Sequence, residues 1–188
     1  MVKLCVYGVA GSGKSTASAM IERILTDRGL SVEIIKLAHP LYRLQQHIYE
    51  TAGKPTDLWT HDNELLRLLA AQLRRINPTY LVEDFLARVD SAASDVVVND
   101  DLRNADVDYP EMLAAGFRFL HVSCRDDVRA ARLAARGDVT VVPDSAATWG
   151  FDRITPDWTI DNSSEDPGYL NHQVTVVLDK WLAQRRPL

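Results

Sequence analysis

The sequence predicts an α/β fold in which helices cover both faces of a mostly parallel sheet. Short apolar runs alternate along the chain with segments of helical spacing, which is the pattern of strand–helix–strand units. The 188 residues are enough to build one domain around its own core. Residues 1–188 are therefore predicted to form a single domain of three layers, with the sheet between two layers of helices.

Five apolar runs are predicted to form the strands of this sheet. Each run is short and rich in β-branched or aromatic residues. The predicted strands are 2–7, 31–37, 95–99, 117–123 and 158–160. Because helices are expected between them, the strands should run parallel and be buried on both faces.

Helical spacing of apolar residues fills most of the chain between these runs. The predicted helices are 14–28, 40–51, 61–75, 79–92, a helix ending at Gly116, 127–136 and 167–184. Three of them follow one another between the second and third strands, separated by Gly53, Pro55 and the pair Asn77-Pro78. We therefore expect a helical insertion at approximately 38–93.

The strongest motif comes directly after the first predicted strand. Gly8 to Ser15 reads GVAGSGKS and fits the pattern G-x-x-x-x-G-K-[ST] at every fixed position, between a strand and a helix. Glycines permit positive φ angles and allow successive N–H groups to approach an anion closely. The motif predicts a phosphate-binding loop and, with the alternating elements, a three-layer P-loop NTPase fold.

The residues of this loop have separate predicted tasks. The helix that starts here adds its unsatisfied N–H groups and the positive end of its dipole. Lys14 is expected to reach the β and γ phosphates of ATP as a catalytic residue, and the Ser15 hydroxyl is expected to ligate Mg²⁺. The predicted ATP-binding residues are Gly8, Ala10, Gly11, Ser12, Gly13, Lys14, Ser15 and Thr16. The alternative is a glycine-rich turn without a ligand.

The third predicted strand delivers two acids to the edge of the sheet where ligands collect. We predict that Asp100 holds Mg²⁺ and lies by the substrate, and that Asp101 accepts a proton from the attacking oxygen. Arg103 suits the phosphate already present on the acceptor, because its planar fork binds phosphate through two hydrogen bonds. The alternatives are solvated turn acids and, for Arg103, an ion pair with Asp106 or Glu111.

A row of arginines follows the fourth predicted strand. Arg125, Arg129, Arg132 and Arg136 include three at helical i, i+3 or i+4 spacing. Such a row favours a short Arg-rich lid at approximately 125–156 that stabilises charge on the transferred phosphoryl group. Arg132 and Arg136 are the predicted catalytic residues of this lid. The alternative is a solvated face on which neighbouring aspartates neutralise the row.

Two further candidate residues follow the second predicted strand and are expected at the same edge of the sheet. His39 directly follows that strand and Arg43 lies one turn further on, so both are predicted to bind the acceptor. A structural or helix-capping role for His39 is the alternative. Trp59 belongs to the inserted helical region, which could close over the acceptor.

Composition excludes several classes of function. A formal net charge of −5 argues against binding to a nucleic acid polymer, which usually needs a basic excess. No apolar stretch approaches the ~18 residues of a membrane span and no signal peptide is visible, so we expect a cytoplasmic protein without a membrane partner. Cys5 and Cys124 lie in apolar runs and are expected to be buried, without a disulfide or a metal.

Several of these segments together resemble a known family. The phosphate-binding loop, the AHPL step at 38–41, Asp101-Leu102-Arg103 followed by Asp106, and Asp161-Asn162 before the final helix resemble the P-loop nucleoside and deoxynucleoside monophosphate kinases. The likeness is greatest to the bacteriophage-type deoxynucleoside monophosphate kinases and their dephospho-CoA kinase relatives.

The resemblance implies a role for particular residues. Asp101 and Arg103 would approach the acceptor, Arg132 or Arg136 would act from the lid, and Asn162 would lie beside the base of ATP. Two departures leave the acceptor base open. His39 stands where the family tends to have an acid, and residues 137–156 lack the family's short His-containing lid motif.

The leading prediction is ATP-dependent transfer of a phosphoryl group to a nucleoside or deoxynucleoside 5′-monophosphate, or to a modified one, giving the diphosphate. An alternative keeps ATP and Mg²⁺ but uses a non-nucleotide acceptor such as dephospho-CoA or another small phosphorylated metabolite. A third possibility of another class is a nucleotide-binding switch. The sequence does not decide between ATP and GTP, or between a monomer and a homodimer.

Overall fold

A single sheet of five parallel strands forms the centre of the computed structural model, which describes residues 1–135, 150–164 and 166–183. The strands are β1 Val2–Tyr7, β2 Val32–Ile34, β3 Val96–Asn99, β4 Arg118–Ser123 and β5 Trp158–Asp161. Their order across the sheet is β2-β3-β1-β4-β5. The C-terminal end of β1 therefore lies between the ends of β3 and β4.

Helices cover both faces of the sheet. They are α1 Lys14–Asp27, α2 His39–Thr51, α3 Asn63–Ile76, α4 Tyr80–Ser91, α5 Asp108–Ala114, α6 Asp126–Ala134 and α7 Pro167–Ala183, with a 3₁₀ turn at Phe151–Arg153. α1 and α7 pack on one face, and α2, α4 and α5 pack on the other. The predicted three-layer α/β architecture is confirmed. Among the described residues, no helix combines the length and the apolar character needed to cross a membrane.

Strand β1 shows how the core is divided between the two faces. Leu4 and Val6 are fully buried in the cluster that contains α1 and α7. Cys5 and Tyr7 alternate with them and are buried in the cluster on the opposite face. Because both faces are covered, the strand is apolar at consecutive positions, as expected for a parallel sheet.

Strand β2 is shorter than predicted. The sequence favours a strand over 31–37, whereas the structure has Val32–Ile34. The N–H of Ile35 still donates to the Val98 carbonyl, at 2.9 Å. The N–H groups of Leu37 and Ala38 then turn away from the sheet to a side-chain carboxylate at the end of β3. The backbone therefore leaves the edge of the sheet as soon as that carboxylate replaces the strand as its partner.

A buried ion pair joins α3 to the beginning of α5. Nη2 of Arg74 lies 2.9 and 2.8 Å from the two carboxylate oxygens of Asp108, which also accept the N–H of Asn104 at 3.0 Å. Asp108 has no exposed surface. Burial raises the pKa of Asp108, and the Arg74 guanidinium opposes that rise. The pair therefore compensates a charge that is costly to bury.

We expect Arg74→Ala to destabilise the protein by about 3–5 kcal/mol at neutral pH, because it leaves the Asp108 carboxylate buried without a counter-charge. The folded pKa of Asp108 already lies above its ordinary value of 3.8, so its ionisation costs stability as pH rises through the folded pKa. Loss of Arg74 raises that pKa further. The deficit, measured by urea unfolding, should accordingly shrink as the pH falls from neutral towards the ordinary carboxyl pKa of 3.8.

The neighbouring residue provides the control for this experiment. Arg75 is exposed and donates to the Gln72 side chain at 3.0 Å. Arg75→Ala should change the free energy of unfolding by less than about 0.5 kcal/mol. Equal losses in the two variants would contradict the assignment of the Arg74–Asp108 pair as a buried support of the fold.

Candidate active site

The loop Gly8–Ser15 connects β1 to α1 and has a backbone that requires glycine. Gly11 and Gly13 adopt positive φ angles of 80° and 96°. A Cβ added at Gly11 would lie 2.8 Å from Cγ of Arg129, and one added at Gly13 would collide with the side-chain amide of Asn162. Both positions therefore combine a left-handed backbone with close packing from later parts of the chain.

The first turn of α1 is open to an anion. Gly13 caps the helix without a side-chain hydrogen bond to its first N–H groups. Ser15 and Thr16 are exposed in this turn, and Nζ of Lys14 donates to the Val9 carbonyl across the loop at 3.0 Å. The backbone N–H groups, a lysine and a hydroxyl are thus gathered at one helix N-terminus, which is the arrangement that binds phosphate.

Residues that follow β4 and β5 in the chain hold the phosphate-binding loop in place. Nδ2 of Asn162 donates to the Ser12 carbonyl at 2.8 Å, and Nη1 of Arg132 donates to the Asn162 carbonyl at 3.0 Å. Nη1 of Arg132 also lies 3.4 Å from Sγ of Cys124. The Ser12 hydroxyl is buried within the loop, and no group in the described ranges hydrogen-bonds to it. In this structure Arg132 braces the loop, which differs from its predicted action on the transferred phosphoryl group.

Asp101 has a different environment from the one predicted. Its two carboxylate oxygens accept the N–H groups of Leu37 and Ala38 at 2.8 and 2.9 Å, and one also accepts Nδ2 of Asn99 at 2.6 Å. Both oxygens therefore accept hydrogen bonds, and the whole Asp101 residue is 8% exposed. The predicted role of Asp101 as proton acceptor stays a prediction. The carboxylate fastens the start of α2 to the end of β3.

Asp100, the acid next to Asp101, has an ion-pair partner that the sequence does not predict. Nζ of Lys36 donates to Oδ1 of Asp100, and the Asp100 side chain is 2% exposed. The alternative, that these two acids are solvated turn residues, is excluded by their burial. Lys36 ends an apolar run in the sequence, but nothing local indicates that it faces an acid 64 positions later.

Two arginines predicted to bind the acceptor are uncommitted. In the described part of the chain, Arg103 is half-buried and Arg43 is exposed, and neither makes a hydrogen bond or an ion pair. Asp106, the predicted alternative partner of Arg103, instead pairs with Arg153, with Nη1 and Oδ1 2.8 Å apart. Both guanidinium groups therefore retain their full capacity to bind an anion.

The arginine row of α6 is partly neutralised. Arg125 pairs with Asp127 at 3.2 Å, and Arg129 pairs with Asp126 at the same distance. For these two residues, the alternative of a row balanced by neighbouring acids is the one observed. Arg136 and most of the predicted lid fall at 136–149, outside the described residues.

Comparison with known proteins gives structural matches. No protein-family model matches the chain, and no curated protein matches it in sequence. Shikimate kinase from Acinetobacter baumannii in complex with shikimate matches with a TM-score of 0.57 and 13% identity, over 100% of this chain and 96% of that one. APS kinase from Mycobacterium tuberculosis in complex with AMPPNP and APS matches with a TM-score of 0.53 and 17% identity, over 96% and 97%. The chain has the P-loop kinase fold.

A further match supports the same architecture. Shikimate kinase from Bacteroides thetaiotaomicron has a TM-score of 0.54 and 15% identity, over 96% of this chain and 98% of that one. Since the coverage is nearly complete on both sides, the P-loop kinase fold accounts for the whole arrangement of layers. The phosphate-binding loop, the end of β3 and the start of α6 accordingly belong to one edge of that fold.

A cleft of about 400 Å³ lies in this P-loop kinase fold between β2, α4 and the start of α2. Its lining includes Lys36, His39, Trp59 and Arg88. Trp59 is 47% exposed, with its ring centroid 5.9 Å from that of His39. Burial lowers the pKa of His39, and the nearby guanidinium groups of Arg88 and Arg43 lower it further. The cleft therefore offers an aromatic surface among cationic side chains.

An aromatic stack beneath the phosphate-binding loop was not predicted. Tyr7, the last residue of β1, stacks on His121 with ring centroids 5.0 Å apart, and Phe151 meets the Tyr7 ring edge-on at 5.5 Å. Burial lowers the pKa of His121 and raises that of Tyr7. Only the aromatic residue directly before Gly8 hints at this stack in the sequence, because its partners come from β4 and from the 3₁₀ turn.

Proposed function

We propose that this protein transfers the γ-phosphoryl group of ATP to a nucleoside or deoxynucleoside 5′-monophosphate and forms the diphosphate. The observation that carries the proposal is the phosphate-binding loop, whose open helix N-terminus and Lys14 stand at the C-terminal edge of a P-loop kinase fold. An oxygen of the acceptor phosphate attacks the γ phosphorus, the bond from that phosphorus to the bridging oxygen breaks, and ADP leaves. The protein's part is to position both phosphates and to stabilise the charge between them.

The residues at this edge fit a bound Mg²⁺. Ser15 offers an exposed hydroxyl, and Asp100 has one carboxylate oxygen beyond the one that Lys36 engages. No group of three acidic, histidine or cysteine side chains in the described ranges could hold a metal alone, which suits a cation that is bound mainly by phosphates and water. Ser15 and Asp100 would hold the ion, which when bound offsets negative charge on the phosphates.

Two features support a phosphorylated, nucleotide-like acceptor. Arg103 and Arg43 leave their guanidinium groups uncommitted near the ends of β3 and β2, and such groups bind phosphate through paired hydrogen bonds. The cleft beside Trp59 adds an aromatic surface on which a base can stack. β2 lies two strands from β1, about 10 Å at the usual spacing, so one small ligand could span from the cleft towards the phosphate-binding loop.

A small non-nucleotide acceptor is the second candidate. Its support is that the structural matches include a shikimate kinase in complex with shikimate. The uncommitted guanidinium groups favour an acceptor that already carries a phosphate. A nucleotide-binding switch without an acceptor is the remaining alternative.

The decisive experiment measures ADP release from Mg·ATP in the presence of single acceptors. The panel contains ribo- and deoxynucleoside monophosphates, dephospho-CoA and shikimate. We expect one or a few nucleoside monophosphates to stimulate ADP release and to be converted to diphosphates. Stimulation by dephospho-CoA or shikimate alone would replace the nucleotide acceptor, and a flat panel with tight ATP binding would favour a switch.

We expect Arg103→Ala to raise the KM for the acceptor at least about tenfold and to leave the KM for ATP unchanged, since one charge-assisted phosphate contact is lost. Steady-state kinetics with the acceptor found in the panel measure both constants. Arg118→Ala is the control, because Arg118 pairs with Asp157 at the opposite edge of the sheet. An acceptor KM that is the same in both variants would remove Arg103 from the acceptor site.

A further inference from the structure

Lys36 and Asp100 lie just beyond the paired ends of β2 and β3. Ile34 of β2 pairs with Val98 of β3, and the Ile35 N–H still donates to the Val98 carbonyl at 2.9 Å. Lys36 follows two positions after Ile34 and Asp100 two positions after Val98. Nζ of Lys36 donates to Oδ1 of Asp100 there. The ion pair therefore joins the two segments at the point where they leave the sheet.

Lys36 is the group that compensates the charge of Asp100. The Asp100 side chain is 2% exposed and the Lys36 side chain 29% exposed. A buried carboxylate without a counter-charge is strongly unfavourable. Asp101, the adjacent acid, is instead satisfied by backbone N–H groups and by Asn99. Within the part of the chain that the structure describes, Lys36 is the ion-pair partner of Asp100.

Asp100 belongs to the face of the sheet that carries α1. Val96 and Val98 are buried in the same cluster as Ala17 and Ile21 of α1. Asp100 continues this alternation at the end of β3, the strand next to β1. Asp100 therefore directly follows the strand that lies beside β1, and β1 leads into the phosphate-binding loop.

We infer that Lys36 is a positioning residue for the magnesium-binding part of this site. Lys36 holds Oδ1 of Asp100, and Oδ2 makes no hydrogen bond with the described residues, so the pair fixes which oxygen remains for the cation. Without Lys36 the carboxylate is free to rotate and loses the partner that orients it. The inference rests on the proposed function and adds a residue that belongs neither to the loop motif nor to the predicted acceptor site.

The test measures how much Mg²⁺ strengthens nucleotide binding. Calorimetric titration gives the affinity for ADP with Mg²⁺ and with excess EDTA, and the ratio of the two is the magnesium gain. We expect Lys36→Met to lower this gain about tenfold, because the Asp100 carboxylate loses the hydrogen bond that orients it, and to leave the affinity for metal-free ADP unchanged. Lys180→Met is the matched control, because Lys180 is an exposed lysine of α7.

A double-mutant comparison separates positioning from a general loss of structure. Asp100→Asn should lower the magnesium gain at least as much as Lys36→Met. Adding Lys36→Met to Asp100→Asn should cause no further loss, because the lysine acts through the carboxylate. A further loss in the double variant would overturn the inference, as would an undiminished gain in Lys36→Met or an unaffected gain in Asp100→Asn.

Lys36→Arg keeps the test usable where Lys36→Met does not fold. Arginine retains the charge and can still hold Asp100, so we expect its magnesium gain to stay above that of Asp100→Asn. A gain as low as that of Asp100→Asn would count against positioning through a charged contact with Asp100. Absence of any magnesium gain in the unmodified protein would instead refute the proposed function itself, so the two failures are distinguishable.

Discussion

Lys14→Ala is expected to reduce phosphoryl transfer by at least about 10²–10³-fold while the protein stays folded. Lys14 is half-buried in the phosphate-binding loop, with Nζ 3.0 Å from the Val9 carbonyl. Its ammonium is the fixed positive charge that the loop brings to the β and γ phosphates, and that charge counts most as negative charge shifts in the transition state. ADP formation with the acceptor found in the panel measures the loss.

The control for this variant is Lys54→Ala. Lys54 is exposed in the segment after α2, so its replacement removes a lysine without touching the loop. Both variants should have free energies of unfolding within about 0.5 kcal/mol of the unmodified protein, as is usual for substitutions away from the core. If Lys14→Ala retained activity comparable to Lys54→Ala, phosphoryl transfer would not depend on this loop and the proposed function would fall.

Gly13→Ala is expected to weaken ADP binding at least about 100-fold, because the loop loses several charge-assisted hydrogen bonds at once. Gly13 has a φ of 96°, and an added Cβ would collide with the amide of Asn162. That amide holds the Ser12 carbonyl at 2.8 Å, so relief of the collision displaces the loop. Calorimetric titration with ADP measures the change.

Gly29→Ala separates backbone strain from the collision. Gly29 has a similar φ of 81°, but nothing lies within 4 Å of an added Cβ. The substitution should cost about 1–2 kcal/mol of stability, the price of a left-handed alanine, and should leave ADP affinity unchanged. Equal ADP affinities in the Gly13→Ala and Gly29→Ala variants would show that packing against Asn162 is not needed to shape the loop.

The fold could be predicted to the extent that local patterns define it. The strand before Gly8 and the helix after Gly13 are visible because apolar spacing and a fixed motif occur within a few residues. The order of the strands is not visible, since it depends on which apolar runs pair across the chain. The shortening of β2 depends likewise on a carboxylate some 64 positions away.

In the candidate site, too, local patterns are visible in the sequence and long-range contacts are not. The residue types at the end of β3 indicate a polar site, but the sequence does not show that both oxygens of Asp101 accept backbone N–H groups from the start of α2. Lys36 and Asp100 become partners only because β2 and β3 pair and end side by side. Helical spacing predicts Arg132 as part of a lid, whereas its contacts are with a carbonyl and a thiol contributed by other segments. The type of a residue can be read directly from the sequence, whereas its contact partners depend on which distant segments the fold brings together.

The hydrogen bond from Asn162 to Ser12 also bears on the order in which the protein becomes functional. It joins residues 150 positions apart, so the nascent chain has the complete phosphate-binding motif long before it has the residue that holds the motif in shape. Nucleotide binding should therefore mature only when β5 has joined the sheet. Conversely, a bound nucleotide stabilises the sheet with β5 in place and protects β5 from local opening.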